Sequence, residues 1–237
     1  MPEYVNVFLL ALLAGLAMPA GAILARADLL HPAFLTANSR CFIIAFGGGA
    51  LFSAVALVLV PEGISKLSPF NAALYFIAGG FFFYWLEGWL KRLRSAAGQL
   101  VAMLSDFIPE AIALGTAFAT GGQTGLILAL MMLLQNLPEG FNAYEELIKT
   151  SDFSASKIIY AFSGLALIGP VAALIGYYLL ADMEALVAGL MLFASAGILY
   201  LVFQDIAPES KLINSRIPAL GAVCGFMLGL VGNMLIQ

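Results

Sequence analysis

An all-α membrane fold with eight crossings is predicted by three observations: scarce charge, regularly spaced apolar runs, and basic residues that collect on one side. Of the 237 residues, 62% are hydrophobic and only 10% charged, and the mean hydropathy is +1.01. Soluble domains carry about 25% charged residues, so there is too little polar side chain here for a water-facing surface. Runs free of Lys, Arg, Asp and Glu cover 4–25, 41–61, 67–86, 158–181, 185–204 and 217–237. Each is near the roughly 20 apolar residues that a helix needs to cross the hydrocarbon layer. Residues 95–148 hold two more apolar segments, split by the turn-rich Gly121-Gly122-Gln123-Thr124-Gly125. The expected spans of this single domain, 1–237, are 4–25, 41–61, 67–90, 99–120, 124–147, 158–181, 185–206 and 217–237.

The first run begins at Glu3 and lacks the basic start and small-residue cleavage site of a removable signal, so it reads as a span. Basic residues orient the set. With the N-terminus outside, the cytoplasmic loops take Arg26, Arg40, Lys91, Arg92, Arg94, Lys149, Lys157, Lys211 and Arg216, leaving only Lys66 on the other side. Both termini are therefore expected to be extracytoplasmic, in a multi-pass protein of the cell (inner) membrane. The net charge of −4 rests on so few charges that it indicates no partner, and nothing suggests nucleic acid. Cys41 and Cys224 lie far apart in apolar stretches and form neither a disulfide framework nor a CxxC site.

A slight repeat accompanies this plan. The second span ends Leu57-Val58-Leu59-Val60-Pro61-Glu62 and the seventh ends Gln204-Asp205-Ile206-Ala207-Pro208-Glu209, with Gly48-Gly49-Ala50 and Ser195-Ala196-Gly197 in register behind them. One ends outside and the other inside, as in a 3+2+3 inverted repeat around a central pair of helices. A Pro-Glu that simply ends a helix at an interface would also account for the match.

The central pair differs from the other six in keeping polar residues within its apolar runs. Span four reads Ser105-Asp106-Phe107-Ile108-Pro109-Glu110-Ala111, and span five reads Gln135-Asn136-Leu137-Pro138-Glu139-Gly140. Residues four apart share a helix face, so Asp106 projects with Glu110, and Gln135 with Glu139. A carboxylate at the bilayer centre costs about 2.5–3.5 kcal/mol even on insertion scales. Three at similar depth also repel one another, and neither span supplies a Lys or Arg at that depth. A bound cation or protonation must compensate. Each proline bends its helix and frees a carbonyl near Ser105 or Leu134, which is tolerated at membrane depth only beside a cavity or inside protein. Carboxylates, carboxamides and spare carbonyls together suit a divalent cation; the alternative is that these groups bond one another and pin the helices.

These motifs resemble those of the ZIP family of divalent metal transporters. The resemblance extends over the chain, through Ser163-Gly164 and Gly169-Pro170-Val171-Ala172-Ala173-Leu174-Ile175-Gly176 in span six and Tyr200 to Ser210 in span seven. It implies eight spans with both termini outside and a metal site in spans four and five. Carried over, the site residues are Asp106, Glu110, Gln135, Asn136 and Glu139. Asn142, Glu145 and Glu146 form a possible exit path, or equally a solvated helix end. The chain departs from the family pattern in having Asp106 in place of His, Phe107 in place of Asn and Gly169 in place of Glu. A second adjacent metal thus keeps only Asn136 with the shared Glu110 and Glu139. The family's His-rich cytoplasmic loop is reduced to Lys91-Arg92-Leu93-Arg94-Ser95-Ala96-Ala97-Gly98.

The only histidine, His31, sits beside Pro32 in an expected loop and reads as a solvated residue. All-oxygen ligation favours Mn²⁺ or Fe²⁺, zinc also accepts carboxylates, and the resemblance puts zinc first. The expected function is import of a divalent transition metal by alternating access, with the metal as cargo and no cofactor. Spans one, four, five and six would move against the other four, in a monomer or a homodimer. The rivals are a proton-coupled carrier of a non-metal solute and a relative that has lost transport. An intramembrane enzyme is not expected, because no intramembrane histidine and no Ser-His or Gly-x-Gly-Asp arrangement is present. Asp205 reads as a helix-end group, Glu87 between Trp85 and Trp89 as an interfacial anchor, and Gly47-Gly48-Gly49 and Gly79-Gly80 as close-packing surfaces.

Overall fold

A computed structural model describes residues 2–30, 36–93, 96–119, 123–211 and 215–236, without the side chains of 90–93, 96–99, Ala102, Asp106, Gln123 and Ile236. The described residues form helical rods with no strand among them: α1 (Glu3–Leu30), α2 (Ala37–Ser65), α3 (Pro69–Leu93), α4 (Ala96–Ala119), α5 (Gln123–Thr150), α6 (Ala155–Leu180), α7 (Glu184–Glu209) and α8 (Ile217–Ile236). Among the described residues, seven of these helices are long and apolar enough to cross a membrane. The chain is a multi-pass α-helical membrane protein.

Local chemistry sets the helix ends. Thr36 accepts from the Ser39 N–H, Ser68 from Asn71 and Ser154 from Lys157, satisfying donors that the first turn leaves open. The helices run past the apolar stretches that predicted them, so α1 includes Arg26 and Asp28 and α2 includes Arg40. Arg26 and Arg40 were expected in a loop. Helical hydrogen bonding continues into the polar zone, where long side chains can reach water. The expected loop at 91–98 is almost wholly helical backbone, and the 94–95 and 120–122 connections and His31 lie outside the described residues.

The prolines have unequal effects. Before Pro61, Val55–Leu59 widens into a π turn in which the Val60 N–H reaches Val55 O. Before Pro208, Val202–Ile206 does the same, with the Ala207 N–H on Val202 O. The extra residue relieves the clash that each ring would make with the carbonyl four positions back. In α6, Pro170 instead splits the helix at Leu167, whose N–H turns to Gly164 O. Pro109 and Pro138 lie within continuous α-helix.

Contacts between helix ends define two faces of the bundle. On the first, Tyr177 Oη donates to Glu3 (3.4 Å), Lys66 pairs with Glu184 (2.8 Å), Thr124 donates to Glu62 (3.3 Å), and Ala119 lies beside Asp182 and Met183. The hydrogen bond and charge of Glu184 hold the Lys66 ammonium above its ordinary pKa. On the second face, Arg40 pairs with Asp28 and Glu145, and Ser215 donates to Asn38. Large apolar side chains cover the outside, among them Phe81, Trp85, Val223 and Leu235. In water such a surface would aggregate; in lipid it is solvated.

Glycines set the tightest crossings. A Cβ on Gly21 would lie 2.0 Å from Leu137 O, and one on Gly140 2.2 Å from Met18 O, so α1 and α5 touch backbone to backbone. Between α4 and α6 the same reciprocal pattern appears, with Gly115 against Ala173 O (1.8 Å) and Gly176 against Ile112 O (2.2 Å). In the α2–α8 pair Gly49 meets Ala222 O and Gly225 meets Phe46 O, and in the α3–α7 pair Gly79 meets Phe193 O. Gly47 and Gly48 instead meet the side chains of Pro138 and Ile206, and nothing lies near Gly80. Gly140→Ala is therefore expected to lower stability by about 1–3 kcal/mol through overpacking. Gly80→Ala should be neutral or slightly stabilising because Ala favours the helix. Thermal unfolding in detergent compares the two.

Candidate functional site

Helices α4 and α5 lie side by side in the bundle interior and bring together polar groups from both proline motifs. Glu110, one residue past Pro109, is 2% exposed, and Gln135 and Asn136 are each 1% exposed. Gln135 Nε2 donates a short hydrogen bond to Glu110 Oε2, across the two helices. Gln135 Oε1 is buried and accepts no hydrogen bond among the described residues. Asn136 Nδ2 donates to Ala14 O on α1 at 2.9 Å, tying the neighbouring position to a third helix. Glu139, half-buried, follows Gln135 by one turn of continuous α-helix. The helical backbone of α4 also runs unbroken from Asp106 to Glu110, but the Asp106 side chain lies outside the described residues.

Two carboxylates and two carboxamides thus occupy one stretch of the α4–α5 pair. The amide N–H that Gln135 gives to Glu110 is a neutral donor. Such a buried oxygen set favours a cation or a proton. Among the described residues, no group of three or more His, Cys, Asp and Glu is placed to hold a metal ion.

The two departures at Phe107 and Gly169 meet in space. Phe107 is 1% exposed. A Cβ on Gly169 would lie 2.5 Å from its Cζ, and one on Gly15 3.1 Å from the same atom. Its ring is wedged between α1 and α6, where larger residues at 15 and 169 would not fit. Gly15 also brings α1 against Ala166 O, the carbonyl that Pro170 deprives of its helical partner. The space between Gly15 and Gly169 is therefore filled by the Phe107 ring.

Among the exit-path residues, Asn142 and Glu145 are half-buried and Glu146 is exposed. Glu145 pairs with Lys149 at 2.9 Å and lies 3.7 Å from Arg40. Arg40 also reaches Asp28, fully buried on α1, at 2.5 Å. Sequence reasoning missed Asp28 altogether. Its one signal was a carboxylate two residues from Arg26 in a run that could continue as helix. Glu87, expected as an interfacial anchor, accepts a short hydrogen bond from Tyr200 Oη and links α3 to α7. Asp205 lies in the π turn before Pro208, not at a helix end. The Pro-Glu that follows it marks the widened turn, while the helix itself runs on to Glu209.

Comparison with protein-family models gives no match, and comparison with curated proteins gives no significant one.

Gly169→Leu is expected to destabilise the protein by about 1–3 kcal/mol by driving a side chain into the Phe107 ring. The same substitution should cost much less in a Phe107→Ala background, where the ring is gone. A double-mutant cycle on thermal unfolding measures the coupling.

Proposed function

We propose that this chain is a ZIP-type carrier that moves one divalent transition-metal cation inward between α4 and α5. The observation that carries the reading is the buried Glu110–Gln135 pair, with Asn136 and Glu139 beside it, in helices whose polar centre has no Lys or Arg. A cation bound there offsets the cost of keeping carboxylates in a low-dielectric bundle, and the oxygen donors replace part of its hydration shell. The family resemblance of the motifs ranks zinc first and Mn²⁺ or Fe²⁺ next. Metal is cargo in this scheme. The Phe107 ring packed against Gly169 supports a single-ion site.

The same reading takes α4 as the eighth crossing. Its 24 residues extend about 36 Å at 1.5 Å per residue, and its end at Ala119 lies with the first-face loop at Asp182 and Met183. Helix ends then alternate between faces, and the basic residues favour a cytoplasmic second face with both termini outside.

Packing supports the 3+2+3 inverted repeat. The α1–α5 and α6–α4 crossings use the same reciprocal glycine pattern, and Gly225 on Phe46 O corresponds to Gly79 on Phe193 O. One offset relates Phe46 to Phe193, Val55 to Val202 and Pro61 to Pro208, so the π turns fall in register. Exchange of spans one to three with six to eight, and of four with five, turns each of these contacts into its counterpart.

Radiometal uptake into proteoliposomes tests the function. Wild-type protein should accumulate Zn²⁺ or Mn²⁺. Glu110→Ala and Glu139→Ala should each reduce uptake about tenfold or more, equivalent to ~1.4 kcal/mol of lost cation stabilisation. Uptake indifferent to both substitutions removes the metal reading, and proton flux without metal uptake favours a carrier of a non-metal solute.

A further inference from the structure

The ionic cluster at the second face lies across a seam between α2 and the α1–α5 pair, where Gly47 of α2 meets a side chain rather than backbone. Asp28 and Glu145 stand on α1 and α5, which are locked together through Gly21, Leu137, Gly140 and Met18. Arg40 stands on α2, which is locked to α8 through Gly49 and Gly225. Between these two pairs, α2 meets α5 through side chains: a Cβ on Gly47 would meet Pro138 Cγ at 2.6 Å, and Ser53 Oγ contacts Met131 Sδ at 3.5 Å. Met131, Pro138, Asn142 and Glu145 recur at the three- and four-residue spacings of one α5 face. The seam therefore runs along α5 past Asn142 and ends at the Arg40 pairs.

We propose that Arg40 is the gating residue of this seam, an ionic lock that ties α2 to α1 and α5 and closes the second face in the state seen here. The inference rests on the carrier reading, to which it adds a gate. Its chemistry is that of a guanidinium shared as an ion pair between two acids on different helices. Nη2 lies 2.5 Å from Asp28 Oδ2 and Nη1 lies 3.7 Å from Glu145 Oε1. Arg40 Nε is buried and makes no hydrogen bond among the described residues, so these two Nη contacts hold the head group. Asp28 has no exposed surface and Arg40 is its charge partner; separating α2 from α1 exposes both groups together. Opening at this face requires both Arg40 contacts to break, and Glu145 then becomes available beside Asn142. Contacts made of side chains can slide, whereas glycine–carbonyl crossings cannot do so without large backbone shifts, so α2 can move here against α1 and α5.

The test is reaction of a reporter thiol, Asn142→Cys in a Cys41→Ala/Cys224→Ala background, with a membrane-impermeant maleimide applied to the second face without metal. Arg40→Gln should raise the labelling rate about tenfold. Arg40→Lys, which keeps the charge on a smaller head group that cannot span both acids, should fall between wild type and Arg40→Gln. The isosteric pair Asp28→Asn/Arg40→Gln leaves no buried charge behind, and so tests the lock even if Arg40→Gln alone folds poorly. It too should label about tenfold faster while its thermal unfolding stays near that of wild type. Labelling by this folded double variant at the wild-type rate overturns the lock. Radiometal uptake by wild-type vesicles, measured separately, decides the carrier reading, so either idea can fail alone.

Discussion

Helices in lipid gain little from meeting one another through apolar side chains, because the acyl chains solvate leucine equally well; close packing must supply the association. In this protein it does so where a glycine on one helix lies against a carbonyl on the next, at Gly21 and Leu137, Gly140 and Met18, Gly115 and Ala173, Gly49 and Ala222. Each contact fixes both the distance and the register of two helices, since no Cβ can be accommodated. The remaining features depend on that register. Glu110 meets Gln135 because α4 and α5 are each pinned to an outer helix, α4 to α6 and α5 to α1.

Two groups of polar side chains join different helices. One is the set formed by Glu110, Gln135 and Asn136; the other is the group of Asp28, Arg40 and Glu145 at the second face. They solve the desolvation problem differently. At the face, the charges are paired with a guanidinium, at a helix end within reach of water. In the interior the Glu110 carboxylate receives the Gln135 amide donor across two helices.

Much of this was legible in the sequence because helix periodicity is local. The apolar runs gave the helices to within a few residues, and the spacing of Gln135 and Glu139 placed them on one face. Other features were not legible. Phe107 and Gly169 stood out separately as departures, yet nothing in the chain stated that the ring of one fills the space above the other. Pro61 and Pro208 marked a repeat, but only the structure reveals that each follows a π turn whereas Pro109 and Pro138 do not. Asp28 was overlooked and the Tyr200 partner of Glu87 was not foreseen for one reason: a partner on another helix is not visible from a carboxylate's own stretch of sequence.

By itself, then, the sequence determined a multi-pass helical protein and the two segments that keep polar residues inside it, because composition and a 3.6-residue repeat act over a few turns. The tertiary structure decided which of those residues bond one another. Gln135 turns to Glu110 on α4 and Asn136 to Ala14 on α1, and Arg40 takes two acids from different helices. Those choices follow from the relative shift of helices along their axes. That shift is set where glycine meets carbonyl between segments distant in the chain, and no local pattern encodes it.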